Sequence, residues 1–428
     1  MGIYVGNKRY GICLSRKEKE GWKRPSEWPD YSKIPLSGVG ANEVYLTYDC
    51  RPAIRGEYPS SVCFKATASG GYTVERGNIG NSGFVAVATT SVASNTNFQE
   101  ELPTDEGNYV VYRITSTGNI TNFALVYWPN YVGNKNYDYL LQSCVEAYGK
   151  LELATGVTIR TYALVSFSVV MKSLTSMSNQ FYTCYTLANV DTTGWDTSSV
   201  NSFQSCFYMC YSLRYLDTRN IDVSSATNTA GMFNGCPGLL ELDVSGWDVS
   251  NVTNMSSMFS GCRSLKELDV SDWDTSSVTG KGMTSVFSDC PNLETLDVSD
   301  WDISGVEEIT SIFNECRKLN TIDLHDWDFG SVTATTSMLR NCQSLKGVRI
   351  GSTLTVVSAN TFNGINMAET VVFLSTTPPT MANTNAFTGI NSATKIYVPD
   401  ASVNAYKTAE NWSTYASYIY PLSEYVEP

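Results

Sequence analysis

The chain has 428 residues, of which 42% are hydrophobic and 17% charged, and its formal net charge is −13. This balance excludes an intrinsically disordered chain and leaves room for two or three domains. The acidic charge argues against nucleic-acid binding, and no apolar run approaches the roughly 20 residues that span a bilayer. The N-terminus lacks the apolar core of a signal peptide, so we expect no secretory export of its own.

Residues 1–35 form the first segment. Alternating apolar residues on both sides of Gly6 and Asn7 predict a β-hairpin, because this dipeptide suits a tight turn. A stretch rich in Trp and Pro follows, and its prolines argue against a helix or an inner strand. We therefore predict a hairpin and then an extended segment that lies over another surface.

Six short runs rich in β-branched and aromatic residues follow within residues 36–130, separated by turns that contain Gly, Asn or Ser. This spacing predicts a small antiparallel β-sandwich. Residues 131–168 are predicted to be a transition that caps the N-terminal end of the next unit. The six runs are residues 43–50, 61–68, 72–77, 84–91, 109–116 and 120–128.

Residues 169–350 repeat one pattern every 26 residues, apart from a single step of 28. Repeats of this length stack into a solenoid, because one coil cannot bury its apolar side alone. Within one coil, the spacing of Val252, Met255 and Cys262 predicts a short inward-facing helix, and residues 265–270 predict a short strand. The tryptophans of the repeat are Trp195, Trp247, Trp273, Trp301 and Trp327, and Ile221 takes the Trp place in one coil. Its cysteines are Cys184, Cys210, Cys236, Cys262, Cys290, Cys316 and Cys342.

Residues 351–428 contain variant repeats and a predicted C-terminal cap, which a solenoid needs to cover its last coil. Phe362 and Phe387 stand in equivalent places of two variant repeats. Asp400 is the predicted N-cap of a closing helix. The apolar residues of that helix are Val403, Tyr406 and Trp412.

No motif for catalysis or for a cofactor stands out, so we predict no enzyme, no cofactor and no metal site. The seven repeat cysteines are predicted to be buried free thiols. Two aspartate columns, represented by Asp243 and Asp248, either hold the backbone of their own turns, which we favour, or form a row of Ca²⁺ sites. His325 lies beside Asp326 in a slot that holds Ser in most coils, and we interpret it as a surface substitution rather than a catalytic residue.

The natural binding surface of a solenoid is the outward side of its strands. Mixed charge combined with tyrosine suits a glycan or a protein as the ligand. The candidate residues for a ligand or partner are Tyr182, Tyr185, Tyr208, Tyr211, Arg214, Tyr215, Glu241, Lys266, Glu267, Glu294, Asn320 and Lys346.

The pattern W-D-x-S-x-V-x-x-M-x-x-M-F-x-x-C-x-x-L-x-x-L-D-V stands almost unbroken at Trp247–Val270. It resembles the BspA-type leucine-rich repeats of bacterial surface proteins. The C-terminal I-Y-V-P…V-x-A-Y…W-x-x-Y-A also resembles that family, so the resemblance covers residues 169–428. It implies an α+β solenoid fold: a right-handed leucine-rich-repeat solenoid of 26-residue BspA-type coils, preceded here by the all-β sandwich-like domain.

The N-terminal W-K-R-P-S-E-W, with G-G-Y-T-V in the β-rich stretch, resembles segments that precede such repeats in structural proteins of tailed bacteriophages. This resemblance implies a non-enzymatic virion protein, associated with the tail or tail fibre and assembled in the host cytoplasm. Its solenoid would bind a host cell-surface glycan or protein, or other virion proteins. The residues expected to dock on the virion are Tyr4, Tyr10, Trp22, Arg24 and Trp28.

We further expect a homo-oligomer in the particle, with no nucleic-acid partner and no membrane insertion. Two alternatives stay open. One is a purely structural collar, baseplate or capsid decoration protein. The other is an adhesin on a bacterial cell surface, exported or anchored through other chains.

Overall fold

The strands of the chain form an N-terminal β-sandwich, which is followed by a β-solenoid of about 11 turns. In front of the sandwich, β1 (Ile3–Val5) and β2 (Lys8–Tyr10) pair antiparallel, which confirms the predicted hairpin. The computed structural model describes residues 3–5, 8–10, 33, 39–49, 61–80, 83–101, 109–118, 120–125, 144–151, 156–159 and 164–426.

The sandwich contains all six predicted strands and one that was missed. The missed strand covers residues 97–101, where only Phe98 is apolar and buried, so the run lacks the alternation that marks a strand. The strands are β3 (Asn42–Asp49), β4 (Ser61–Ala68), β5 (Tyr72–Gly80), β6 (Gly83–Val92), β7 (Asn97–Glu101), β8 (Tyr109–Thr115) and β9 (Ile120–Leu125).

Two sheets pack face to face around buried side chains from both. Tyr112 of one sheet meets Phe98 of the other, with ring centroids 5.9 Å apart. Four later strands complete the sheets: β10 (Cys144–Leu151), β11 (Gly156–Ile159), β12 (Ser166–Met171) and β13 (Asn189–Val190). One sheet has the order β13-β12-β10-β3-β8-β5-β6 and the other β11-β9-β4-β7.

Strand β10 joins the sandwich to the solenoid. It pairs antiparallel with β3 of the sandwich and parallel with β12, which in turn pairs parallel with β13 of the next coil. The seven-stranded sheet therefore runs without a break from the sandwich into the first coils. One hydrophobic core likewise extends from Val44 to Ile419. A shared sheet and a shared core resist bending between the two parts.

Each coil of the solenoid buries the columns that the repeat predicts. Phe259 stacks on Phe233 and on Phe287, with ring centroids 5.9 and 5.8 Å apart. The thiol of Cys262 donates to the carbonyl oxygen of Phe233 in the preceding coil at 3.3 Å. The predicted free thiols of the cysteine column are confirmed. Cys206 does not belong to the column but is also free and buried. Among the described residues, the free buried cysteines are Cys184, Cys206, Cys210, Cys236, Cys262, Cys290, Cys316 and Cys342.

The predicted helix in each coil is wrong, because this side of the solenoid is a series of tight turns. The N–H of Met255 donates to Gly282 O in the next coil at 2.9 Å. The N–H of Met258 donates instead to Met255 O in its own turn at 3.1 Å. Ser257, with φ of 56°, lies in the left-handed region that an α-helix excludes. A run of tight turns brings every third side chain to the same side, much as an α-helix does. The spacing of the apolar residues therefore suits both a helix and a run of turns.

The predicted strand is regular at the two ends of the solenoid, in β12 and β13 of the first coils and again in the last coils. In the middle coils a single bridge, Glu267 to Thr295, marks its place. The strands of the last coils are β14 (Thr321–Leu324), β15 (Gly347–Ile350), β17 (Thr370–Phe373), β19 (Lys395–Val398) and β20 (Ile419–Pro421), which pair parallel in that order. A second short parallel pair is β16 (Val356–Val357) with β18 (Thr380–Met381).

The C-terminal cap contains the predicted helix, although it is shorter than expected. Helix α1 spans Val403–Thr408, and Trp412 begins a separate 3-10 helix, Trp412–Tyr418. Asp400 is not the N-cap of α1, because its carboxylate accepts the N–H of Ser423 at 2.9 Å and so holds the chain's last segment. Tyr406 and Trp412 are buried, and the indole N–H donates to Pro379 O at 2.8 Å. Two further 3-10 helices of the cap, Asp400–Ser402 and Leu422–Glu424, flank these elements, and Phe329–Ser331 and Thr384–Phe387 lie earlier in the solenoid.

Candidate functional site

The outward side chains between the cysteine and the strand-closing aspartate of each coil form one surface, here called the strand face. In the coil of Cys262 it comprises residues 263–269. The outward positions of this surface are solvent-facing, while Leu265 and Leu268 turn inward and are buried. The predicted residues exposed on the strand face or at its edge are Tyr211, Arg214, Tyr215, Glu241, Lys266, Glu267, Asn320 and Lys346; those half-buried on the solenoid surface are Tyr182, Tyr185, Tyr208 and Glu294.

A groove of about 610 Å³ lies on the strand face between two neighbouring coils. It brings together three of the predicted residues, Glu241, Lys266 and Glu267. Leu242 and Leu268 form its apolar floor, and the three charged side chains form a rim of mixed charge. Such a groove can hold a peptide or polymer segment, because its apolar residues can bury part of the ligand while its charged residues orient the ligand's polar groups.

Four of the predicted tyrosines form two stacked pairs, here called the tyrosine patch. The rings of Tyr182 and Tyr208 are parallel within 6° at 4.7 Å, and those of Tyr185 and Tyr211 within 2° at 4.5 Å. Burial, followed by the neighbouring tyrosines, raises the pKa of the Tyr208 and Tyr211 hydroxyls. The patch therefore presents neutral aromatic surface that suits stacking or hydrogen-bonding contacts.

Three other predicted residues have structural partners in neighbouring coils. The backbone N–H of Asn320 donates to Glu294 O at 3.3 Å, and that of Lys346 donates to Asn320 O at 2.8 Å. The side chain of Glu294 meets Lys318 at 3.4 Å. Ion pairs as exposed as this one contribute little to stability, so these side chains stay available for exchange with a ligand.

The two aspartate columns hold the turns of the coils, as favoured from the sequence. Asp243 Oδ1 accepts the N–H of Ser245 at 3.2 Å, and Asp248 Oδ1 accepts that of Ser250 at 3.0 Å. Hydrogen bonds from the serine hydroxyl and then from the backbone lower the pKa of both carboxyls. Among the described residues, no three His, Cys, Asp or Glu side chains come together in a way that could hold a metal ion.

His325 lies between two carboxylates. Its Nδ1 is 3.0 Å from Asp323, and its Nε2 is 2.9 Å from Asp326. The ring therefore contacts two acidic side chains of its own turn, and its Nδ1 makes no hydrogen bond. This geometry supports the interpretation of His325 as a substituted surface position.

A pocket of about 460 Å³ that was not predicted opens at the Trp corner of the coil that carries Ile221. It is here called the corner pocket, and Trp195, Ile221 and Trp247 form its apolar wall. Asp196, Asp222, Asp248 and Arg219 are among its polar residues. The sequence signal for it was the replacement of one tryptophan of the column by a smaller residue.

The residues expected to dock on a virion are described only in part. Tyr4 lies on β1 and Tyr10 on β2. Trp22, Arg24 and Trp28 lie outside the described residues. Within the described segments, no helix has the length and apolar character to cross a membrane.

The repeats match a protein-family model described as "Mycoplasma protein of unknown function, DUF285", over residues 175–280 and 238–352. A search of curated proteins found no match. Among solved structures, the chain is similar to a leucine rich cell surface protein from Faecalibacterium prausnitzii A2-165, at 18% identity, 72% of this chain, 89% of that chain and a TM-score of 0.28.

Two further solved structures are similar to the chain. One is an LRR protein of Leptospira interrogans, at 10% identity, 60% of this chain, 80% of that chain and a TM-score of 0.22. The other is a leucine-rich repeat protein from Bacteroides ovatus ATCC 8483, at 12% identity, 75% of this chain, 97% of that chain and a TM-score of 0.20. The class of the chain, a leucine-rich-repeat solenoid, follows from its own coils: the leucines of each strand are buried and the stacked coils share one core.

Proposed function

We propose that the chain is a non-enzymatic binding protein whose strand face contacts a polymer or protein on a host cell surface. The observation that carries the proposal is that each coil has two kinds of position, buried ones that are repeated and exposed ones that vary. The repeated apolar and cysteine columns are buried, whereas the side chains that differ between coils, such as Lys266 and Glu267, face solvent. The groove beside Glu241 offers a concave contact on this face.

We further propose that the particle of a tailed bacteriophage carries the chain and that the N-terminal part mounts it there. The W-K-R-P-S-E-W segment supports this proposal by its resemblance to virion proteins. The continuous sheet through β10 supports it mechanically, because a load on the solenoid passes through hydrogen-bonded strands into the sandwich. A bacterial cell surface is the second candidate, and the BspA-type repeat supports that location.

The edge of the seven-stranded sheet supports the expected self-association. Strand β6 is the last strand of that sheet among the described residues, and its ten residues carry no charge. Val85 and Val87 on it are 54% and 59% exposed. A long uncharged edge strand readily pairs with another strand, and two copies of β6 can pair antiparallel about a twofold axis.

The binding proposal is tested with the purified full chain and intact bacterial cells. The strains are those that grow together with the organism from which the chain comes. We expect Glu267→Lys to weaken cell binding at least tenfold, because it reverses a charge at the groove. Glu410→Lys is the matched control, since Glu410 is also exposed but lies in the C-terminal cap. Equal binding by the two variants would show that the groove is not the contact.

Pretreatment of the cells identifies the kind of ligand. Periodate destroys glycans and protease removes surface proteins, so the treatment that abolishes binding names the class. The location is tested by mass spectrometry of purified phage particles and of washed cell envelopes from the same culture. Presence of the chain in the envelopes and its absence from the particles would contradict the virion proposal and favour the adhesin.

A further inference from the structure

The corner pocket is a break in an otherwise continuous column of tryptophans. Trp195 and Trp247 flank Ile221, and they are 7% and 8% exposed. In the unbroken part of the column, Trp273, Trp301 and Trp327 are only 2%, 2% and 1% exposed. The smaller side chain therefore opens the corner and uncovers part of the indole on each side.

One buried hydrogen-bond donor beside the break has no acceptor. Four tryptophans of the column donate their indole N–H to a carbonyl of the preceding coil: Trp195 to Val169 at 2.9 Å, Trp273 to Val244 at 3.2 Å, Trp301 to Val270 at 3.1 Å and Trp327 to Val298 at 2.8 Å. The Nε1 of Trp247 has no such partner among the described residues. Because the Nε1 is itself buried, a bound oxygen acceptor restores the missing bond only if the side chain turns towards the corner pocket, whose wall it forms.

The rim of the pocket supplies acceptors. Asp196, Asp222 and Asp248 each use one carboxylate oxygen, Oδ1, to hold the turn two residues further on, at 3.3, 2.9 and 3.0 Å. The second oxygen of each carboxylate keeps capacity for a donor from outside. Arg219 is a basic residue of the lining, and its guanidinium is ion-paired with Asp217 outside the pocket, which offsets part of its charge.

These features select among classes of ligand. Three carboxylates repel an anion. An ammonium group would satisfy the carboxylates but cannot accept the indole N–H of Trp247. A hydroxyl group does both, and the C–H face of a saturated ring can lie against the indoles and Ile221. We infer that the corner pocket binds a neutral sugar ring. The site goes beyond the strand-face function, since it uses another corner of the coil.

The inference is tested with the full chain by saturation-transfer difference NMR. The probes are neutral methyl hexopyranosides and methyl glycosides of N-acetylhexosamines, with sialic acid and N-acetyl-lysine amide as charged comparators. We expect at least one neutral sugar to bind. Ile221→Trp, which completes the column, should weaken its binding at least tenfold. Thermal unfolding confirms that the variant is folded.

A second variant keeps the test decisive if Ile221→Trp does not fold. Asp222→Asn keeps the turn acceptor but removes a rim charge, and we expect at least a fivefold weaker Kd. Asp302→Asn makes the same change in a coil that has its tryptophan, and it should bind sugar as the parent does. Glu267→Lys on the strand face should also bind sugar normally, which separates this site from the proposed function. The inference is overturned if no neutral sugar binds, if a charged probe binds more tightly, or if neither pocket variant weakens binding.

Discussion

Gly261 occupies a turn position with a φ of 75°, in the left-handed region that costs other residues about 1–2 kcal/mol. A Cβ added there would also lie 3.3 Å from the Cα of Gly235 in the preceding coil, which is tighter than normal packing. We therefore predict that Gly261→Ala lowers the free energy of unfolding by about 2 kcal/mol, from the dihedral cost and the contact together.

Two other glycines separate these contributions. Gly280 has a φ of 57° but meets nothing within 4 Å, so Gly280→Ala should cost only the dihedral part, about 1 kcal/mol. Gly246 has neither the positive φ nor a close neighbour, and Gly246→Ala should change stability by less than about 0.5 kcal/mol. The order of the three variants is therefore the prediction, rather than one value.

The assay is guanidinium unfolding followed by tryptophan fluorescence, with midpoints compared only where the slopes agree. This condition matters because a stack of similar coils need not unfold in one step. Equal costs at Gly261 and Gly246 would refute the assignment of a constrained left-handed turn. Equal losses of stability for Gly261→Ala and Gly280→Ala would support the left-handed turn and exclude a contribution from the contact between coils.

Two further predictions concern acid and self-association. The folded-state pKa of Asp248 is lowered, chiefly by the hydrogen bond from the Ser250 hydroxyl. The stabilisation that this carboxylate contributes is therefore present above the unfolded-state pKa of about 4, and it is lost as the pH falls below that value. Asp248→Asn keeps the turn acceptor and should lose less stability than the parent between pH 4 and about 2 in urea titrations; an equal loss would show that this carboxylate does not contribute. Val85→Lys on β6 should lower the sedimentation coefficient to that of a monomer, whereas Val426→Lys, also exposed, should leave it unchanged, and an oligomer that survives Val85→Lys would exclude the β6 edge.

The sequence predicted what is repeated, because periodicity reports directly on burial. The Cys and Phe columns, the strands of the sandwich and the stacked Phe362 and Phe387, whose ring centroids are 4.8 Å apart, all follow from side-chain type and spacing. The aspartate turns were also predictable, because an Asp followed two residues later by Ser is a known local hydrogen-bonding pattern.

What the sequence could not predict is where backbone hydrogen bonds go. A helix and a run of turns place the same side chains inward, and they differ in the hydrogen bonds to the next coil and in the left-handed φ of residues such as Ser257 and Ser285. Those positions hold serine, which carries no glycine-like signal. Asp400 was misassigned for a similar reason, since its true partner, Ser423, is distant along the chain.

The coil of Ile221 is weaker as scaffold than a coil with tryptophan would be. A lost aromatic contact costs about 0.5–1.5 kcal/mol, and the neighbouring Trp247 has an unsatisfied buried donor, which costs about 1–3 kcal/mol. The chain already has the solution to this problem in five other coils, where the tryptophan fills the corner. Stacking alone therefore gives no reason for Ile221. A pocket that gains a ligand accounts for it, because the hydrogen bond and the contact area missing from the free protein are then restored in the complex.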